Sequence, residues 1–188
     1  MKTTVYFVRH AQSDNTNKDE MTRPLTEKGM QDRMLALNYL KDKKIDAIYS
    51  SPYLRAVTTV QPLADHLGLP VVTEPAFRER ATGDTAGIED FARLQWADKN
   101  FAAPGGESFL QVQGRVGKAL MALNAKHRGE TYVVGCHGMM LGTVVNYFDK
   151  SFEYEQFQQV RGLMPWIVEL VFEDGKCISL QSIDPFNV

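Results

Sequence analysis

The chain has 188 residues, 44% of them hydrophobic, 23% charged and 10% aromatic, so it can bury a full core and is far from the composition of a disordered segment. Lys and Arg (21) nearly balance Asp and Glu (23), giving a net charge of −2; no basic field exists to hold nucleic acid or an anionic membrane, and any bound anion must be gripped locally. Two cysteines, Cys136 and Cys177, form neither a disulfide framework nor a Cys-x-x-Cys zinc spacing, and no window reaches the roughly 20 apolar residues of a membrane span.

The apolar stretch Val5 to Val8 is too short for a signal-peptide core, so a cytoplasmic location and one domain over residues 1–188 are expected. Thr3 to Val8, β-branched and aromatic, reads as a buried strand, followed by a polar loop from Gln12 to Glu20. Thr26 caps a helix whose apolar residues Met30, Met34, Leu37 and Leu40 repeat at three and four, with lysines in its last turn. Ile45 to Tyr49 is a second strand. Ser51-Pro52 reads as the N-cap and first turn of a helix with Ala56, Val60, Leu63 and Ala64 on one stripe, which Pro62 should kink or split and Gly68 should close.

Val71 to Thr73 gives a third strand, and Glu79 to Gly105 an excursion over one face with a short helix around Phe91, Leu94 and Trp96. Ser108 and Gln111 make a capping box for a helix carrying Val112, Val116 and Leu120 on one face. Thr131 to Cys136 is a continuous apolar strand ending in a His-Gly turn, and Met140 to Phe148 a helix. Trp166 to Phe172 and Lys176 to Ile183 alternate in period two around Asp174-Gly175, a hairpin signal whose last strand can expose a pairing edge. The order predicts an α/β three-layer sandwich, a mixed, mostly parallel sheet flanked by helices, with ligands beyond the carboxyl ends of the parallel strands.

His10 and His137 end the first and fourth predicted strands, where that rule places a site. Arg9 precedes His10, and Arg55 lies in the first turns of the helix after the second strand. Two guanidiniums beside two imidazoles repel one another unless a multiply charged anion resolves the charge, and phosphate meets that demand. Taken singly, Arg55 reads as a solvated helix arginine, Arg9 as a surface charge, and Glu79 between Arg78 and Arg80 as a surface ion pair. Beside a phosphate, however, the Glu79 carboxyl would have its pKa raised and could protonate a leaving oxygen. Cys136 points to the opposite face from His137 and reads as core, while His66 and His127 read as surface or capping residues.

The Arg-His pair at Arg9-His10, Ser-Pro-x-x-Arg-Ala from Ser51, Glu79 before the Gly83-Asp84-x-x-Gly87 stretch, Pro-Gly-Gly-Glu-Ser from Pro104, and Gly-x-His-Gly from Gly135 occur in the order of a known family. The chain resembles the histidine phosphatase superfamily, the phosphoglycerate mutase-like group, and specifically its small cytosolic phosphatase branch. It departs from the family pattern in two places: Ala11 replaces the more usual glycine, and the family asparagine six residues after the histidine falls at Thr16, with Asn15 and Asn17 on either side.

The resemblance implies a phosphoglycerate mutase-like fold and a phosphohistidine formed on His10. It makes Glu79 the general acid and base, with Arg9, Arg55 and His137 around the phosphoryl oxygens and no metal or other cofactor. A neutral His10 and a protonated Glu79 would give a bell-shaped rate profile in the acidic to neutral range. Gln12, Ser13, Thr16 and Arg80 are further contacts expected for a small phosphorylated substrate. Specificity is expected from Arg80 to Gly106 and from Lys18, Arg23 and Arg161 at the rim, with Trp96, Phe101 and Phe91 available to an organic moiety. Phosphomonoester hydrolysis is the leading reading. The alternatives are mutase-type phosphoryl transfer, for which the chain has little spare length to build a lid, and a phosphate-binding module without turnover. Oligomeric state and physiological substrate stay open.

Overall fold

The computed structural model describes residues 1–188. In chain order the elements are β1 (Lys2–Arg9), α1 (Glu27–Leu40), β2 (Ala47–Ser50), α2 (Leu54–Leu67), β3 (Val71–Thr73), α3 (Phe91–Ala97), α4 (Phe109–Lys126), β4 (Thr131–Cys136), α5 (Gly138–Phe148), α6 (Tyr154–Val160), β5 (Trp166–Glu173) and β6 (Lys176–Ile183). The six strands form one sheet in the order β3-β2-β4-β1-β5-β6. The first four run parallel, and β5 and β6 add antiparallel at one side. Alternation along β1 builds both faces of the sandwich. Val5 and Phe7 enter a core with residues of α3, α4, α5 and α6, whereas Tyr6 and Val8 enter a second core with α1 and α2. No helix is long and apolar enough to cross a membrane.

Parallel register sets up the site. Arg9 pairs with Cys136 and the His10 N–H donates to the Cys136 carbonyl at 2.9 Å, so the two strand-end histidines emerge side by side. Ser50 pairs with Gly135 on the other side of β4, which brings the β2–α2 connection to the same end of the sheet.

Four local readings need correction. On α1 the buried residues are Gly29, Ala36 and Leu40, while Met30 and Met34 are about 40% exposed. The small face wins because α1 lies against the loop after β1: a Cβ on Gly29 would sit 2.1 Å from the Gln12 carbonyl oxygen. No basic residue falls in its last turn, since the lysines follow Leu40. The second helix starts at Leu54 with Tyr53 as its N-cap, not at Ser51, whose hydroxyl is used elsewhere. Pro62 does not split it: the Thr58 carbonyl, which loses its partner four residues on, accepts instead from Arg33 Nη1 at 3.1 Å. Sequence reading left α6 unassigned. The Ser108–Gln111 capping box is formed on both arms, and Asp174 and Gly175 both take positive φ in the hairpin turn.

Candidate active site

His10 follows β1 with only 8% of its surface exposed. Its Nδ1 lies 2.7 Å from the Ala11 carbonyl oxygen. A carbonyl can only accept, so Nδ1 carries the proton and Nε2 presents a lone pair, which accepts from Arg55 Nε at 3.2 Å. Burial, then the Arg55 charge and to a lesser degree Arg9, lower the His10 pKa from 6.5 to about 3, although the Ala11 hydrogen bond opposes them. The ring is therefore neutral at physiological pH. Ala11 is tied in turn: its N–H donates to Thr59 Oγ1 at 3.0 Å, and that hydroxyl donates to the Arg55 carbonyl one helical turn back.

Arg55 is 2% exposed, not a solvated helix arginine. Its guanidinium lies 5.0 Å from the centre of the Tyr53 ring and donates from Nη1 to the Glu20 carbonyl at 2.7 Å and from Nη2 to Glu20 Oε2 at 2.6 Å. Glu20 also accepts from Arg23 Nη2 at 2.5 Å. The charge argument from sequence called for an anion but did not find this one, because Glu20 sits in an aperiodic polar loop.

Arg9 is aimed by the Arg161 and Leu163 carbonyls, to which its Nη1 donates at 2.6 and 3.0 Å, while its Nε is buried with no partner. Gly138 is what lets it fit: a Cβ there would lie 2.8 Å from Arg9 Nε. His137 is fully buried, its ring centre 5.3 Å from that of His10 and 5.1 Å from that of Tyr53. Its Nε2 shares a 2.7 Å hydrogen bond with Ser51 Oγ, and its Nδ1 has no partner. Burial, followed by the neighbouring His10 and Arg55, holds its pKa well below the ordinary value. Cys136, also fully buried, has its pKa pushed well up by burial, as befits core.

Glu79 makes no ion pair with Arg78 or Arg80. Its Oε1 accepts from the N–H groups of Arg80 and Met140, each at 2.8 Å, and its Oε2 from Met139 N–H at 3.0 Å, at the N-terminus of α5. Oε1 thus has both lone pairs occupied, and Oε2 keeps one free. The loop carrying it is pinned by Arg115, which donates to the carbonyls of Ala76, Arg78 and Glu79, while Glu107 bridges Arg115 and Arg78. Burial alone would raise the Glu107 pKa, but hydrogen bonds from Arg115, Arg78 and the Ala81 N–H hold it at about 2.

A polar cavity of about 500 Å³ opens at this end of the sheet, and Arg9, His10, Gln12, Ser13, Arg55 and Glu79 all line it. Asn15, Glu20, Arg23 and Arg161 complete much of its wall. Of the residues anticipated as substrate contacts, Thr16 donates its hydroxyl to Asp14, and Arg80 turns away to Gln95 and the Phe91 ring. No residue from Arg80 to Gly106 lines the cavity, nor does Lys18, and Trp96 packs in the core against Phe109 and Phe157. His137 lies one layer behind the wall. Glu20, Ser51, Thr59, Glu107 and Arg115 were missed as site residues. Ser51 and Glu107 stand within the quoted motifs and Thr59 lies one turn after Arg55 on the helix face that meets the histidine loop, whereas Glu20 and Arg115 carry no such signal.

The pattern of the histidine phosphatase superfamily (branch 1) matches residues 5–184. The chain belongs to this superfamily. Among its relatives is a 2,3-bisphosphoglycerate-dependent phosphoglycerate mutase of Brucella anthropi, 32% identical over 170 residues, covering 79% of this chain and 82% of that protein. A putative phosphoserine phosphatase 2 of Hydrogenobacter thermophilus is 32% identical over 156 residues, covering 75% and 76%. A mycobacterial glucosyl-3-phosphoglycerate phosphatase shares the fold, with a TM-score of 0.75 over 97% of each chain at 22% identity. This member of the superfamily thus has relatives named as phosphatases and as mutases, and its mixed six-stranded sheet is that of the phosphoglycerate mutase-like fold.

Proposed function

We propose that the protein hydrolyses phosphomonoesters through a phosphohistidine on His10, with residues 1–188 acting as one catalytic domain. The observation that carries this reading is the His10 ring itself: Nδ1–H fixed on a carbonyl, neutral, with the Nε2 lone pair turned to a buried arginine at the wall of an arginine-lined cavity. As the phosphoryl group enters, Arg55 Nε leaves the Nε2 lone pair for a phosphoryl oxygen, Nε2 attacks phosphorus in line and the bond to the leaving oxygen breaks, while Arg9 and Arg55 carry the charge of the equatorial oxygens. The unpartnered Nε of Arg9, a residue of the cavity wall, is costly to bury and is the kind of group an oxyanion would satisfy. Glu79 gives a proton to the leaving oxygen from Oε2, takes one back from water, and the resulting hydroxide displaces His10 from phosphorus. Inorganic phosphate leaves and His10 returns neutral.

The Brucella relative favours a second reading, return of the phosphoryl group to another hydroxyl of the substrate. A panel of phosphomonoesters assayed for released phosphate, beside an isomerisation assay on phosphoglycerate, separates the two. Hydrolysis predicts stoichiometric phosphate release and no isomer. Isomer without phosphate supports the mutase, and neither product across the panel leaves only a phosphate-binding module.

A further inference from the structure

Glu20 is the carboxylate ion-paired with Arg55, and the mechanism above gives it no task. It occupies donors that a phosphoryl group on His10 Nε2 would need. Of the Arg55 donors, Nε is on His10, Nη1 on the Glu20 carbonyl and Nη2 on the Glu20 carboxylate. The two partners differ sharply in freedom: the Arg55 side chain is 2% exposed and the Glu20 side chain 49%. If one must yield to an incoming anion, it is the glutamate, whose return to water costs little.

The loop around Glu20 does not depend on that carboxylate. The Thr16 N–H donates to Asp14, the Asp19 N–H to Asn17 and the Met21 N–H to Asp19, and the Leu54 N–H ties the Met21 carbonyl to the start of α2. The Glu20 carbonyl would keep hold of Arg55 Nη1 after the side chain had left.

We propose that Glu20 is a tethered competitor for the phosphoryl site: its carboxylate holds Arg55 and Arg23 in the resting protein, swings out when a phosphoryl group takes the arginines, and returns to help expel inorganic phosphate. The proposal rests on the phosphatase reading of the same cavity. It makes Glu20 a positioning residue with a distinctive signature. Every anion that uses the arginines must pay the same cost of displacing it, so removing its charge tightens all of them by one common factor. A residue that merely built the loop would do the reverse when replaced.

The test is calorimetric titration of the wild type, Glu20→Gln and Glu20→Ala with inorganic phosphate, a dianion at about pH 8, and with methyl sulfate, a monoanion of similar shape. Both variants are expected to bind both anions roughly five- to tenfold tighter than the wild type, and by equal factors within each variant. In turnover, KM and the inhibition constant of phosphate fall together. Unchanged or weaker binding in the variants, or tightening for one anion alone, overturns the proposal and leaves the phosphatase reading intact. Absence of phosphate binding by folded wild type overturns both. Should the variants fail to fold, the carboxyl carbon resonance of Glu20 in the wild type decides: on saturation with phosphate it moves to the position of a solvated glutamate, and a resonance that stays in place contradicts the displacement.

Discussion

His10 is held neutral by burial and by Arg55, and that places a pH dependence on stability. Above pH 6.5 the ring is neutral folded and unfolded alike, and contributes nothing to the difference. Below it the unfolded chain takes up a proton that the folded ring refuses until about pH 3, so stability is lost as the pH falls through that window. His137 adds to the loss in the same direction, and Glu107 extends it, since its stabilisation fades from about 4.5 down to about 2. Thermal melts from neutral pH to about pH 5 should show a falling midpoint, with a shallower fall in His10→Asn; parallel curves would contradict the assignment. For the same reason the acid limb that protonation of free His10 gives to the rate profile falls near pH 3, at the acid end of the expected range. In single-turnover measurements of His10 phosphorylation, Glu79→Gln should slow that step by about 10² to 10⁴ on alkyl phosphates and much less on phosphates with phenolic leaving groups, which need little proton donation. Equal losses on both would remove Glu79 from the leaving-group side. His10, Arg9, Arg55 and Glu79 were legible in the sequence because each stands beside a strand end or helix start. Glu20 and Arg115 were not, because the site residues they hold, Arg55 and Glu79, lie 35 and 36 residues away and nothing periodic marks them.

The elements carry the side chains only as well as their termini are placed. At the start of α5, Gly138→Ala should leave the helix intact but push Arg9 off the carbonyls that aim it, lowering kcat/KM at least about tenfold with little change in melting temperature. Wild-type turnover in that variant would show that Arg9 has room to spare. On α4, Arg115→Met removes the anchor of the Glu79 loop and leaves Glu107 one partner short, a loss of about 3 kcal/mol readable by urea unfolding. Helices with explicit end signals, such as the Ser108–Gln111 box, were readable from sequence. The face of α1 was not, since the close approach at Gly29 outweighs the methionine stripe, and neither was the continuity of α2 through Pro62, which depends on an arginine from another helix.

Across the whole molecule, the strand order puts β1 and β4 side by side, so one end of the sheet collects both histidines, the arginines and the glutamate from stretches more than 120 residues apart. Alternating strands and helices made that architecture readable; which loop side chains close the cup was decided by contacts no spacing reveals. Because the Arg9 and Arg55 guanidiniums supply the charge, dialysis against a metal chelator should leave phosphate release unchanged, and activity restored only by added metal would contradict the mechanism. The most direct measurement is phosphorus and nitrogen NMR of protein quenched during turnover. The account predicts an acid-labile phosphoryl group bonded to Nε2 of His10 and missing from His10→Ala. A phosphoryl group on Nδ1 or on another residue, or turnover that persists in His10→Ala, would contradict it.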